Sequence, residues 1–268
     1  MTNRISLNPF TSDSLIVFVG DSHTVGQGAT DTGDDRVPEL PPPAGVSDRF
    51  HRRDPSSGVW VDQFARTIRD RAGLAMKQFL NAGRGNHTIM DYLGDPVNVG
   101  AGATGDNDHT DHLSEVLNLT PSLIILEAMI INDWFHGIAL PDTRTAFTRM
   151  IRRIQAEGAD LVVLGPAPVI TVSTPFDYAE NSEYSAKPPL RDNLHDKGRY
   201  SDYYDVIQSV CAEHHATFCN TYDYFMYRYR REDHRNWTIG ENAGRIHVNQ
   251  HGNNIYFEAL LQCIDGAN

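Results

Sequence analysis

The sequence predicts an α/β protein, a three-layer αβα sandwich with a central parallel sheet. Two observations lead to this prediction. Apolar strand-like runs alternate with helix-like segments along the whole chain, as in sheets covered on both faces. The chain has 268 residues, of which 40% are hydrophobic, which is enough for one large core. Neither a fixed-period repeat nor a Gly/Ser linker interrupts it, so we expect a single domain over residues 1–268.

Two strands and two helices are predicted in the first half of the chain. Residues 14–20 (SLIVFVG) form a β-rich run bounded by polar residues, typical of a buried strand. Residues 57–73 carry apolar side chains at helical spacing, which predicts an amphipathic helix. Residues 75–83 indicate a short strand that runs into a glycine turn, and residues 112–119 a helix.

The second half continues the alternation. The segment 121–130 (PSLIILEAMI) predicts a buried strand, and 143–158 an amphipathic helix that ends at a glycine. Prolines close the next predicted strand, 159–168. The remaining elements are a helix, a strand and a closing helix, over residues 200–215, 216–221 and 252–264.

Several polar or turn-forming residues stand where the predicted strands end. They are Ser22, the turn after Leu80, Asn132 and the prolines after Leu164. Ligands of parallel sheets bind outside the carboxyl ends of the strands, so we expect one site at this edge. Two long irregular loops, near residues 29–57 and 171–199, are expected to wall or cover it, because proline-rich insertions of this length are usually functional.

A serine at a strand end suggests nucleophilic catalysis, for which the hydroxyl needs a base. His247 lies in a loop just before the last predicted helix, at the expected edge of the sheet. Three candidate donors could stabilise an oxyanion: the Ser22 N–H, a backbone N–H of the turn 81–86, and the Asn132 amide.

Four sequence blocks, in order along the chain, resemble those of the SGNH hydrolases, also called GDSL esterases. They are GDSHTVGQG (20–28), NAGRGNHT (81–88), IIND (130–133) and GRIH (244–247). The resemblance implies the flavodoxin-like SGNH fold, Ser22 as nucleophile and His247 as base. It also implies that Asn132 and a second-block N–H complete the oxyanion hole. An ungapped match puts Asn86 at the family's glycine, and a one-residue deletion puts Gly85 there; we favour Gly85.

The chain departs from the family pattern at three positions. Ile130 replaces the glycine of the third block, and Val248 the proline that often follows the histidine. Gly244 replaces the aspartate that orients the catalytic histidine. A backbone carbonyl could take over that role, or a carboxylate from elsewhere, with Glu241 and Asp233 the nearest upstream. Loss of activity is the third alternative.

The amino-acid composition excludes some classes of binding partner. A net charge of −12 without a basic patch argues against nucleic acid. There is no apolar run of membrane-spanning length and no signal peptide core, so we expect a soluble, cytoplasmic or released protein with no membrane partner. Cys211, Cys219 and Cys263 are expected to be free thiols. No cofactor is expected, and the oligomeric state stays open.

Some residues have a plain and a functional interpretation. The segment 106–112 (DNDHTDH) could bind a divalent ion but is more simply a solvated acidic loop. The aromatic stretch 221–230 favours packing over sugar stacking, a role that Tyr178, Tyr184 and Trp134 could also serve. His23 is either a substrate contact or a surface residue. Asp21 is expected to cap a helix, and Asp133 to brace the Asn132 turn.

The function that follows is a serine esterase that removes short acyl groups, mainly acetyl, from a carbohydrate through an acyl-enzyme. Charged loops argue against a lipase lid. An O-acyltransferase acting on a sugar is the alternative that the GDSH form raises. A third hypothesis, prompted by Gly244, is a weakened glycan-binding or phage structural module on the same fold.

Overall fold

A computed structural model of the chain describes most of the predicted elements. The described residues are 10–26, 39–40, 52–53, 58–75, 78–96, 109–168, 200–229 and 247–265. The predicted loop 171–199 and most of 29–57 lie outside them.

Five parallel strands form the central sheet, and two short strands pair apart from it. The sheet has the order β4-β1-β5-β6-β7, and β2 pairs with β3 in antiparallel fashion. The bounds are β1 Ile16–Val19, β2 Glu39–Leu40, β3 Arg52–Arg53, β4 Phe79–Asn81, β5 Leu123–Glu127, β6 Asp160–Leu164 and β7 Thr217–Cys219. The chain therefore adds strands on one side of β1 and then on the other, as in flavodoxin-like sheets.

Nine helices are described alongside these strands. Their bounds are α1 Ser22–Val25, α2 Trp60–Ala72, α3 Ile89–Tyr92, α4 His112–Leu117, α5 Ile130–Phe135, α6 Leu140–Ala156, α7 Tyr200–Glu213, α8 Thr221–Tyr229 and α9 Gln250–Asp265. None of the described helices is both long and apolar enough to cross a membrane.

Alternate residues of each strand enter two separate apolar cores. In β1, Val17 and Val19 join the core beneath α3 to α7, whereas Ile16 and Phe18 join the core beneath α2, α8 and α9. Side chains of a strand point alternately to the two faces of a sheet, so both faces are covered by helices. The αβα prediction is thus confirmed: helices flank a parallel sheet on both sides.

Three local predictions need correction. Residues 29–57 were expected to lack regular structure, yet β2 and β3 form a small antiparallel pair there. The strand predicted to reach residue 130 ends at Glu127, and the apolar run continues as helix α5. Helix α6 begins at Leu140, three residues earlier than expected, because Pro141 fits the first turn of a helix.

The site predicted at the sheet edge falls at the topological switch point. Strand β1 lies between β4 and β5, and the chain crosses over it to reach β5. Neighbouring connections leave in opposite directions here and open a crevice at the carboxyl ends. Ser22 follows β1 and Asn132 follows β5, so the two residues flank this crevice.

Candidate active site

Ser22 begins the short helix α1, three residues after β1 ends. The Asp21 carboxylate caps this helix by accepting the His23 N–H at 2.9 Å, as predicted from sequence. Gly20 is required by space, because a Cβ there would lie 2.7 Å from the Glu127 carboxylate and 2.1 Å from the Thr24 hydroxyl. The Gly-Asp-Ser order therefore lets the chain turn tightly above a buried glutamate.

His247 is brought to Ser22 from the other end of the sequence. Its Nε2 lies 2.9 Å from Ser22 Oγ, a hydrogen bond that spans 225 positions. The pKa of His247 is lowered to about 4. Burial is the main cause and the nearby His23 the second, while Asp21 acts in the opposite direction. The imidazole is therefore neutral at pH 7 and able to accept the serine proton.

A buried polar cluster lies beneath Ser22 and consists of Asp21, His23, Thr24 and Glu127. Asp21 Oδ1 meets His23 Nδ1 at 3.1 Å, and Glu127 Oε2 accepts the Asp21 N–H at 3.2 Å and the Thr24 hydroxyl at 3.3 Å. The His23 ring centre is 5.6 Å from that of His247. The cluster thus connects the end of β5 to His247.

The pKa values of the two carboxyl groups in this cluster are shifted in opposite directions. Burial raises the pKa of Glu127 well above its usual range, and the charge of Asp21 raises it further. Burial also acts to raise the pKa of Asp21, but the charge and hydrogen bonds of His23 outweigh it, so the pKa is lowered. Two adjacent buried carboxylates would repel each other, which favours the protonated form of Glu127 beside the ionised form of Asp21.

The second sequence block forms a turn after β4. Gly83 packs against α1, where a Cβ would lie 2.9 Å from the Val25 nitrogen, and Asn81 Oδ1 accepts the Gly83 N–H at 2.9 Å. Gly85 and Asn86 form the exposed tip of this turn. Asn86 has a φ of 63°, in the left-handed region, which asparagine tolerates better than most residues. We call residues 82–89, from the end of β4 to the first residue of α3, the second-block turn.

Asn132 lies in the first turn of α5 and is 6% exposed. Its Nδ2 donates to the His87 carbonyl at 2.9 Å and to Asp21 Oδ2 at 3.3 Å. An amide has two N–H groups, so both are engaged. The contact with Asp21 is the longer of the two, slightly beyond the usual range for an N–H donor, so this hydrogen is the more easily redirected.

Asp133, the neighbour of Asn132, is fully buried and braces two elements. Its Oδ1 accepts the Ile89 N–H at 2.8 Å, and its Oδ2 accepts the Thr143 hydroxyl at 2.7 Å. Burial raises the pKa of Asp133 to about 7, against these two hydrogen bonds. Asp133 therefore ties α5 to the start of α3 and to α6.

One group of side chains has the composition of a metal site. Ligand atoms of Asp21, His23 and Glu127 lie within 4.8 Å of one another. The same atoms are, however, joined by direct hydrogen bonds, and burial raises the pKa of Glu127, which favours the form that carries a proton. An ion would have to displace these bonds and that proton, so the arrangement fits a hydrogen-bonded network better than a cation site.

Not every residue singled out from the sequence lies in the described part of the chain. Gly244 and its candidate replacements Glu241 and Asp233 lie outside it, as do Tyr178 and Tyr184. In the acidic segment, Asp106 and Asp108 also lie outside. Its described residues have structural roles: Asp111 caps α4 and pairs with Arg153 at 2.7 Å.

Two expectations about substrate contacts are wrong. His23 is 1% exposed, so it is neither a surface residue nor a substrate contact; its ring packs inside the polar cluster. Trp134 is 1% exposed and packs against Tyr200, which excludes it as a sugar-stacking platform. The aromatic stretch 221–230 largely forms helix α8, in agreement with the packing interpretation.

Sequence reasoning missed Glu127 and His136. Glu127 ends an apolar run and looks like the first polar residue after a strand. No sequence pattern therefore indicated that its side chain is buried. His136 follows α5, and its Nε2 lies 2.9 Å from Asn86 Oδ1. A histidine one helical turn after Asn132 was the only available signal.

Solved structures with similar folds cover nearly the whole chain. An alpha/beta hydrolase enzyme from the metagenome of Lake Arreo, Spain, aligns with a TM-score of 0.62 at 13% identity, over 97% of this chain and 98% of the other. A GDSL-like lipase from Parabacteroides merdae aligns with a TM-score of 0.62 at 12% identity, over 98% and 99%. An acetylxylan esterase from Geobacillus stearothermophilus aligns with a TM-score of 0.60 at 13% identity, over 95% and 96%.

Identities this low establish the shared fold and nothing finer. A search of curated proteins finds no match. The profile of the GDSL-like Lipase/Acylhydrolase family, however, matches residues 18–255, from the first strand into the last helix. The match includes Ser22, the second-block turn, Asn132 and His247. The chain therefore belongs to the GDSL-like lipase/acylhydrolase family and is an SGNH-type hydrolase.

Proposed function

We propose that this hydrolase is a serine esterase that removes short acyl groups, chiefly acetyl, from a carbohydrate. The observation that carries the proposal is the 2.9 Å hydrogen bond between Ser22 Oγ and His247 Nε2. A hydroxyl in contact with a neutral imidazole is the arrangement that makes serine nucleophilic. The acetylxylan esterase with the same fold supports the substrate class.

The reaction begins with attack of Ser22 Oγ on the ester carbonyl carbon. His247 Nε2 takes the serine proton as the new C–O bond forms. When the tetrahedral intermediate collapses, the bond to the sugar oxygen breaks, and His247 returns the proton to that oxygen. Water, deprotonated by the same imidazole, then releases the acyl group as a carboxylic acid and restores Ser22.

The oxyanion needs donors that point at the carbonyl oxygen. We assign this role to the Ser22 N–H, to the Gly85 N–H of the second-block turn, and to the Asn132 amide. The Asn132 hydrogen that rests on Asp21 Oδ2 at 3.3 Å is the one that turns to the oxyanion, while the bond to the His87 carbonyl keeps the amide in position. Asn86 is the alternative backbone donor.

The imidazolium that forms at His247 also needs stabilisation. Burial and the proximity of His23 disfavour this cation, whereas Asp21 favours it. Asp21 is therefore one described carboxylate with a favourable electrostatic effect on the catalytic base. It acts at a distance, beneath the nucleophile, rather than from the position that Gly244 occupies in the sequence.

The decisive experiment is hydrolysis of p-nitrophenyl esters from acetate to octanoate at pH 7. We expect acetate to give the highest kcat/KM, and Ser22→Ala to reduce kcat by on the order of 10⁴-fold or more. Ser209→Ala is the matched control, because its hydroxyl lies on exposed α7 against Glu213. Full activity in Ser22→Ala would refute the mechanism, and a preference for octanoate would refute the acyl class.

The carbohydrate part of the proposal has its own test. Acetylated xylo-oligosaccharides should release acetate with the wild type and not with Ser22→Ala, as measured by ion chromatography. Transfer of the acetyl group to an added acceptor sugar, without release of acetate, would instead identify an O-acyltransferase. Hydrolysis of aryl acetates but of no acetylated sugar would overturn the substrate class alone.

A further inference from the structure

The second-block turn is fastened to one side of the site at three points. Helix α5 and the residue after it supply all three contacts. Asn132 Nδ2 donates to the His87 carbonyl at 2.9 Å, Asp133 Oδ1 accepts the Ile89 N–H at 2.8 Å, and His136 Nε2 lies 2.9 Å from Asn86 Oδ1. Two of these contacts hold the backbone, whereas the His136 contact holds the Asn86 side chain.

Asn86 is the position of the turn that most needs such a contact. Its φ of 63° is costly for any residue with a Cβ, although asparagine accepts it better than most. The residue is exposed at the tip of the turn. Because φ of Asn86 relates the peptide groups on its two sides, a side-chain contact that fixes Asn86 fixes its own N–H, the alternative backbone donor, and with it the position of the neighbouring Gly85.

His136 is well suited to fix it. The imidazole is 6% exposed, and the backbone N–H of His136 donates to the Asn132 carbonyl at 2.8 Å, so the ring is rigidly placed relative to the oxyanion amide. An amide oxygen only accepts hydrogen bonds, so Nε2 carries the hydrogen and donates to Asn86 Oδ1. Burial lowers the pKa of His136, which keeps the ring neutral, and its buried Nδ1 has no hydrogen-bond partner among the described residues.

We propose that His136 is a positioning residue for the oxyanion hole: its hydrogen bond to Asn86 holds the tip of the second-block turn in the left-handed conformation. The inference rests on the proposed function, because it gives that function's backbone donor its orientation. His136 touches no substrate atom and acts only through Asn86.

The first test compares His136→Leu with His136→Gln, assayed on p-nitrophenyl acetate. Leucine removes the donor, and glutamine returns an N–H near the position of Nε2. We expect His136→Leu to lower kcat about tenfold with little change in KM, because a misplaced donor weakens binding of the transition state more than of the substrate. His136→Gln should recover most of this loss. An unchanged kcat in His136→Leu overturns the proposal.

The second test asks whether His136 acts through Asn86. Glycine adopts a positive φ without help. The reference here is the kcat of the single variant Asn86→Gly. Adding His136→Leu to that variant should therefore change kcat less than about twofold. An equal loss in both backgrounds would assign His136 a general packing role and overturn the proposal.

A third comparison keeps the proposal testable if His136→Leu fails to fold. Asn86→Ala and Asn86→Gly both remove the acceptor at an exposed position, but alanine resists a positive φ. We expect Asn86→Ala to have the lower kcat, and equal kcat values would overturn the proposal. Failure of the proposed function has a different signature, namely hydrolysis that survives Ser22→Ala.

Discussion

At the residue scale, the central feature is a pair of histidines with opposite environments. His23 is bonded to the Asp21 carboxylate, while His247 faces Ser22 with its pKa lowered to about 4. Burial is the main cause of that low pKa, and the neighbouring His23 adds to it. His247 is thus neutral over a wide range of pH; on the proposed mechanism, the same environment makes its imidazolium less stable in the transition state.

The pH profile of the enzyme follows from this. The free enzyme should lose kcat/KM only as the pH falls through about 4, where His247 becomes protonated. In His23→Gln the neighbouring positive charge is gone, so the acid limb should move to higher pH. Measurement of kcat/KM for p-nitrophenyl acetate from pH 3.5 to 8 checks both statements. A limb at the same pH in both proteins would mean that His23 has no electrostatic effect on His247.

Sequence reasoning could find the residues that the family pattern marks but not those that support them. Ser22 and His247 stand in recognisable blocks, and the structure brings their side chains together. Glu127 carries no spacing or composition signal, and His136 only its spacing of one helical turn from Asn132. Their roles depend on which atoms approach them across the fold, and only coordinates contain that information.

At the element scale, the second-block turn packs against α1 on one side and is fastened to α5 on the other. Helix α5 was not predicted, because the apolar run of β5 continues into it without a turn residue. Buried strands and buried helices share this composition, so periodicity cannot separate them. The α/β alternation of the longer elements was predictable, since several of them have a clear period and end at a glycine or proline, as at Gly73, Gly158 and Pro166.

The contact between the turn and α1 can be tested with two glycines of the same turn. In Gly83→Ala the new methyl group would lie 2.9 Å from the Val25 nitrogen and 3.0 Å from Thr24 Cγ2. We expect a loss of about 1–3 kcal/mol in the free energy of unfolding, typical of overpacking. Gly85→Ala is the matched control for stability, because a Cβ there would meet no atom of the described residues within 4 Å. Urea denaturation that gives equal values for the two variants would contradict the packing.

At the scale of the whole molecule, buried carboxyl groups make stability depend on pH in an unusual direction. Burial raises the pKa of Asp133 from 3.8 to about 7, and that of Glu127 is raised as well. The folded state therefore retains protons that the unfolded chain has already released. The contribution of Asp133 to stability is complete below pH 3.8 and is lost as the pH rises to about 7, and that of Glu127 changes in the same direction.

Asp133→Asn should remove most of this dependence. Asparagine keeps the acceptor for the Ile89 N–H, has an N–H for the Thr143 oxygen, and cannot ionise. We expect the Tm of the wild type to fall between pH 4 and 7 more steeply than that of the variant. The difference corresponds at most to about 4 kcal/mol. Asp142→Asn, at an exposed position in the first turn of α6, is the control. Parallel curves for the wild type and Asp133→Asn would contradict the prediction.

The hydrogen bond between Ser22 and His247 joins parts of the chain that are 225 residues apart. On the proposed mechanism, a growing polypeptide carries its nucleophile long before the ribosome has added the proton acceptor. Incomplete chains that lack His247 then do not hydrolyse esters. The onset of ester hydrolysis therefore shows that the final helix has packed against the sheet. Adding a fluorogenic acetate ester to a cell-free translation reaction would measure when this packing occurs.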